Sequence, residues 1–271
     1  MKKIGVLLFI TLFTTIIFAQ NVGQKGNTKL NYTDINGKKQ GKWMKKYPNG
    51  KIAYEAFFIN DRPVKAYKRC YKSGQIKLDI YYDKNSNGHA KLYWDTKKLM
   101  AEGNYVNINV KDSIWNMYGV DGKLMVTIAY KNGVKNGKEI KYYRNGKTAE
   151  ILEWKNNIKD GIWNWYYDNG KPRMKTHHVN GVREGSFWFY HENGIPYMTG
   201  YYKNDLRDGV WKFYSNKYKL IKTITYVNGK ATNQDELDEE ETKQFEEWEK
   251  MKGKIPEPTL ESIMPGGGYN R

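Results

Sequence analysis

Four histidines, one cysteine and a scatter of carboxylates are the residues of this 271-residue chain with catalytic chemistry to offer. His177 and His178 are adjacent, a pairing that suggests metal binding or acid–base work. Their context points elsewhere, because the chain has Tyr201 and Tyr202 at 24 residues further on and Tyr81 and Tyr82 at an earlier equivalent place. Neighbours on a strand also point to opposite faces, so the two imidazoles cannot easily share a metal. His191 stands where Tyr143 and Tyr167 stand in earlier copies, and His89 has no visible partner. Cys70 falls among tyrosines in the same way, which reads as packing. A lone cysteine also excludes a disulfide framework and a cysteine metal site. Glu55 and Asp79 share a position in successive copies, but that column continues as Gly103, Thr127, Ile151, Lys175, Thr199 and Thr223. Glu102, Glu150 and Glu153 lie nearby without continuing a ladder. With no nucleophile elbow, paired carboxylates or phosphate-cradling glycine loop, the sequence reads as non-catalytic, without cofactor or metal.

Binding chemistry is far better represented. Aromatic residues make up 15% of the chain, with 23 Tyr and 9 Trp, beside 26 Gly and only 7 Pro. They recur with a period of 24 residues. GKEIKYYRNG at 137, GIWNWYYDNG at 161, GSFWFYHENG at 185 and GVWKFYSNKY at 209 open alike, and stepping back by 24 lands on GKWMKKYPNG at 41. SIWNMYGVDG at 113 and KAYKRCYKSG at 65 fit the same register, and HAKLYWDTKK at 89 fits loosely. Counting each opening residue as position 0, one candidate binding ladder is Trp43, Trp115, Trp163 and Trp211 at position 2. A second is Trp94, Tyr118, Tyr142, Tyr166, Tyr190 and Tyr214 at position 5. Opposite parity sends these two ladders to opposite faces of a strand. Sheet packing explains most such rings, and the ladder on one face remains free to stack sugars or bury in another protein.

Turn chemistry dictates the elements that carry the ladders. Asn-Gly or Asp-Gly ends the first strand of many copies, as at Asn49-Gly50, Asp121-Gly122, Asn145-Gly146, Asn169-Gly170 and Asn193-Gly194, which marks tight hairpins. A second turn falls at position 20, occupied by Asp61, Asn85, Asn109, Gly133, Asn157, Gly181, Asp205 and Gly229, all tolerant of the left-handed conformation. Two turns per copy leave two strands. The predicted fold is therefore all-β: an elongated single-layer antiparallel β-meander of eight 24-residue hairpin repeats over residues 31–232. Its units start at 41, 65, 89, 113, 137, 161, 185 and 209, without insertion or deletion.

The unit G-x-W-x-x-Y-x-x-N-G, followed by an aromatic strand and a second Asn-Gly turn, resembles the MORN-repeat variant of bacterial proteins. Proteins of this type carry the label of YwqK-like antitoxins, a role that does not go with export. The resemblance implies an elongated β-meander and a binding or scaffolding role toward proteins or lipids.

Residues 1–20 have the layout of a secretory signal peptide: Lys2 and Lys3, an apolar run from Ile4 to Phe18, then Ala19. A linker, 21–30, follows. After Thr232 the composition changes, with an acidic helix expected over 233–252 and an extended Pro/Gly tail over 253–271. Phe245, Trp248, Ile255 and Tyr269 are candidate partner-docking residues of this region. The helix reads as a terminal cap over the last strand edge, or alternatively as an acidic arm. The formal charge of +17 conceals +21 in the body, 21–232, against −6 beyond it. Export removes nucleic acid from the partner classes a basic, aromatic chain suggests. What remains is a protein complex of the cell envelope, periplasmic or at the outer membrane or surface, with polysaccharide or anionic lipid as the alternatives.

Overall fold

The computed structural model describes residues 29–251. The signal segment 1–20, most of the linker and the tail with Ile255 and Tyr269 lie outside the described residues. The described chain is an all-β meander of nineteen strands in one antiparallel sheet, followed by a single helix. β1 (Tyr32–Thr33) leads in, and β2 (Lys39–Lys46) with β3 (Ile52–Ile59) forms the first long hairpin. Seven further long hairpins follow, closing with β17 (Leu206–Tyr214) and β18 (Leu220–Val227) and the short β19 (Lys230–Ala231). α1 spans Gln234–Met251.

Each long hairpin pairs position 0 with position 17, as in Gly41 with Phe58, Gly161 with His178 and Gly209 with Tyr226. Every one has a register shift at the same place, between positions 4 and 5, for example Lys141/Tyr142 and Phe213/Tyr214. An extra residue at a fixed point adds the same local bend and twist to each unit. The return turns put two successive residues at positive φ, such as Asn156 (51°) with Asn157 (65°) and Asn204 (49°) with Asp205 (65°). That is the two-residue hairpin geometry Asn, Asp and Gly accept at least strain.

The third unit departs from the expected register. The pairing that marks position 0 joins Gly88 to Tyr105, so this unit opens at 88 and not at 89. The second unit is one residue shorter because Tyr82 and Gly88 are joined by a four-residue-type turn closed by Asp83, whose N–H bonds the Asn87 carbonyl, with no register shift between the strands. The third unit is one residue longer, with Asn107 (φ 46°), Ile108 (φ 76°) and Asn109 in its return turn. Ile108 therefore takes the left-handed position expected of Asn109, a costly choice for a β-branched residue. Its amide bonds Ser86 carbonyl (2.8 Å) and its carbonyl accepts from Tyr82 (2.8 Å), which holds it there. The loss and gain cancel by Ser113, so the 24-residue spacing resumes.

Candidate functional site

Positions 2, 15 and 17 form the packed face. Trp115, Phe187 and Trp211 at position 2 are buried, as are Ile80, Ile128, Leu152 and Ile224 at position 15 and Phe58, Tyr82, Tyr202 and Tyr226 at position 17. Trp115 and Trp211 are 1% and 0% exposed, a degree of burial a single-layer sheet does not supply by itself. Two features supply it. Gly103 and Gly200, at position 15 of the preceding units, leave room for the indoles; a Cβ there would stand 2.4 and 2.2 Å from ring atoms. In six of the eight units, those preceded by Pro63 and Ser86 being the exceptions, a basic residue two places before the opening position then lies over the rings. Lys39 lies over Trp43 and Phe58, Lys111 over Trp115 and Tyr130, Lys159 over Trp163, Arg183 over Tyr202, and Arg207 over Trp211 and Tyr226, at 4.0–5.2 Å from the ring centroids. Such cation–π contacts gain when partly desolvated. Burial, with Lys135 nearby, lowers the Lys111 ammonium below its usual pKa. Burial pushes the Tyr82 phenol up to about 12.

This face is where the first candidate ladder lies. Trp115 and Trp211 are inside the packing and cannot stack a ligand there, while Trp43 and Trp163 are half-buried. His178 belongs to the position-17 column of the same face. It is buried against Trp163, with ring centroids 5.2 Å apart, and burial followed by the charge of Lys159 lowers its pKa. Among the described residues no group of three or more His, Cys, Asp and Glu is placed to hold a metal.

The opposite face is open. Tyr118, Tyr142, Tyr166, Tyr190 and Tyr214 are half-buried on it, and Trp188 stacks on Tyr190 at 6.2 Å. Trp94 does not belong to this ladder. With the third unit opening at Gly88, Tyr93 takes position 5 and Trp94 moves to position 6. Cys70 also sits at position 5, half-buried, and burial raises its thiol pKa. Between the aromatic positions this face carries cross-strand ion pairs, Lys42–Glu55 (3.6 Å), Lys68–Asp79 (3.6 Å) and Lys138–Glu153 (3.9 Å). The carboxylates Glu55, Asp79 and Glu153 are thus lysine partners.

The fifth unit interrupts the packed face. Glu139 replaces Trp at position 2 and is buried, its carboxylate 2.7 Å from Lys135. Glu150 accepts from Lys141 (2.6 Å) and the Trp163 indole (2.7 Å). Burial opposes its charge, but these bonds outweigh burial and hold its pKa below the ordinary value. Apolar packing divides accordingly into a cluster around Trp115 and another around Trp211.

The helix is not the cover for the final strand edge that the sequence suggested. Leu237 packs against the cluster of Trp211, but Phe245, Trp248 and Met251 are exposed, so the apolar stripe projects away from the sheet. The basic column was missed altogether from sequence. Its signal is plain once sought, since Lys111, Lys135, Lys159, Arg183 and Arg207 are themselves 24 residues apart.

These features define a linear β-repeat protein whose neighbouring hairpins supply one another's burial. Five segments, residues 39–60, 86–107, 135–156, 159–180 and 183–204, match the family model of the MORN repeat variant, so the chain carries repeats of that kind. Each match begins two residues before an opening position, and the one at 86 agrees with a third unit opening at Gly88. No curated protein matches the chain.

Proposed function

We propose that the chain is an exported, non-catalytic scaffold that binds a protein partner of the cell envelope along the open face of its sheet. The observation that carries this reading is the division of labour between the faces. One consumes its tryptophans in packing under a basic column; the other presents half-buried tyrosines at intervals of about 10 Å, the advance of two strands. Tyrosine offers contact area and a hydroxyl at low entropic cost, which suits protein recognition. Export rests on the signal-like residues 1–20, and an exported chain has no occasion to act as an intracellular antitoxin. No described helix is long and apolar enough to cross a membrane.

The test is affinity capture from detergent-solubilised envelope with the mature chain and with a Tyr166→Ala/Tyr190→Ala variant. One stoichiometric protein, retained by the parent and lost by the folded variant, is the expected result. Capture unaffected by the variant overturns the open-face assignment. Polysaccharide retained in high salt, or anionic vesicles released by salt, would replace the protein partner with one of those ligands.

A further inference from the structure

Position 6 stands at the mouth of each first hairpin, and its side chain reaches across to the next unit. Tyr47 donates its hydroxyl to the Cys70 carbonyl (2.7 Å), Tyr71 to Tyr93 (2.8 Å), Tyr143 to Tyr166 (2.7 Å) and Tyr167 to Tyr190 (2.5 Å). His191 donates through Nε2 to Tyr214 (3.0 Å). Each bridge places a ring between two hairpins and ends on the backbone carbonyl of position 5. In the third and fourth units the bridge fails. Trp94 has a buried indole N–H without a hydrogen-bond partner, and Gly119 has no side chain. Among the described residues no side chain donates to the carbonyl of Tyr142, the acceptor that Gly119 leaves without its ring.

A cleft of about 470 Å³ opens at this place, bounded by Trp94, Val120, Met125 and Tyr143. That is within the size range of ligand-binding clefts. Val120 and Met125 are more than half exposed, so the cleft has apolar walls facing solvent. Its rim is basic: Lys123 and Arg144 line it, and the one acid, Asp121, is paired with Arg144 at 3.2 Å.

We propose that this cleft takes the side chain of a tyrosine flanked by acidic residues in a partner polypeptide. The ring lies between Trp94 and Tyr143, the neighbours in its column, and its hydroxyl donates to the Tyr142 carbonyl as Tyr143 donates to Tyr166. The acidic flanks face Lys123 and Arg144. The site is on the hairpin edge and does not depend on the open face binding anything, so its failure and that of the scaffold reading are distinguishable.

The full chain is titrated with the blocked peptide Glu-Glu-Tyr-Glu-Glu while the tryptophan indole N–H resonances are followed by NMR. The expected result is a saturable shift of one indole resonance, absent in Trp94→Phe. The Phe counterpart of the peptide binds about fivefold more weakly, the loss of one net hydrogen bond. Gly119→Tyr supplies the ring within the chain and abolishes binding, once the Asp121 carboxylate, 2.8 Å from the new Cβ, has moved aside. Should Gly119→Tyr fold poorly, Val120→Asp, at an exposed position, repels the acidic peptide instead. No saturable shift, equal affinity for the Tyr and Phe peptides, or undiminished binding to either folded variant would overturn the proposal.

Discussion

Around Trp115 and around Trp211 the array uses one device twice, and between them the fifth unit uses its opposite. In both clusters an indole enters the place left by a glycine one unit earlier, Gly103 or Gly200, and is closed over by a cation, Lys111 or Arg207. In the fifth unit the same position holds Glu139, and the same basic column, through Lys135, forms an ion pair with it. The column of cations is therefore common to both solutions, and the residue beneath it varies. A sheet in which each unit contacts only its neighbours tolerates this, because a polar unit interrupts burial locally and does not open a shared core. The difference makes the fifth unit the weak joint of the array.

The strongest way to break the comparison is Trp211→Ala. Removing a fully buried indole costs about 3–5 kcal/mol, and the loss should fall on the C-terminal cluster alone. Chemical denaturation followed by hydrogen exchange is expected to show residues 161–231 opening first while the strands around Trp115 keep their protection. Equal loss of protection in both clusters would mean that the fifth unit transmits stability across the sheet.

Gly200→Ala is the next largest. Its Cβ would stand 2.2 Å from the Trp211 ring, and overpacking of this kind costs about 1–3 kcal/mol. The specific expectation is non-additivity: in a Trp211→Ala background the same methyl fills space and costs little. A double-mutant cycle measured by urea denaturation reads that coupling, and additive losses would show that the glycine serves the backbone and not the indole.

Much of this was legible in the sequence, for identifiable reasons. Asn-Gly at 145–146, 169–170 and 193–194 fixes tight turns by itself, and a period of 24 with strict alternation leaves little choice of fold. The slip at 87–109 was hidden because a missing residue and an extra one cancel before Ser113; Gly88, the opening glycine one place early, was the available sign. Which ladder is packed was not legible, because it depends on pairs distant in sequence, Gly103 with Trp115 and Gly200 with Trp211. The helix misled for another reason. Phe245 and Trp248 have the spacing of a buried stripe, but only contacts decide whether a stripe has a partner, and these two are exposed.

Glu139→Trp sharpens the comparison at smaller cost. Replacing a buried ion pair by a well-packed apolar group is often neutral or stabilising by about 1–4 kcal/mol. Here Lys135, already 4.4 Å from the Trp154 ring centroid, is placed to cover a new indole. The gain belongs at the low end because Ile128, not glycine, occupies position 15 of the preceding unit, opposite Glu139. Merging of two hydrogen-exchange blocks into one is the observable, and separate blocks in the variant would place the weak joint elsewhere.

The smallest effect is a pH dependence confined to the C-terminal cluster. His178 stands in an aromatic column, and burial and the Lys159 charge favour its neutral form, so its folded pKa lies below the ordinary 6.5. The unfolded chain therefore binds the proton more readily than the folded one. Stability contributed by keeping this ring neutral is complete above about pH 6.5 and declines as the pH falls below it. Asp205, bonded to Arg183 at 2.8 Å, partly counters the effect by drawing the pKa back up. His178→Phe restores the usual aromatic ring and removes the titrating group. Its melting temperature is expected to match the parent closely at pH 8 and to exceed it at pH 5. Parallel pH profiles for the parent and His178→Phe would mean that the ring takes up its proton as readily in the folded sheet as in the unfolded chain, and that the aromatic column does not disfavour the imidazolium.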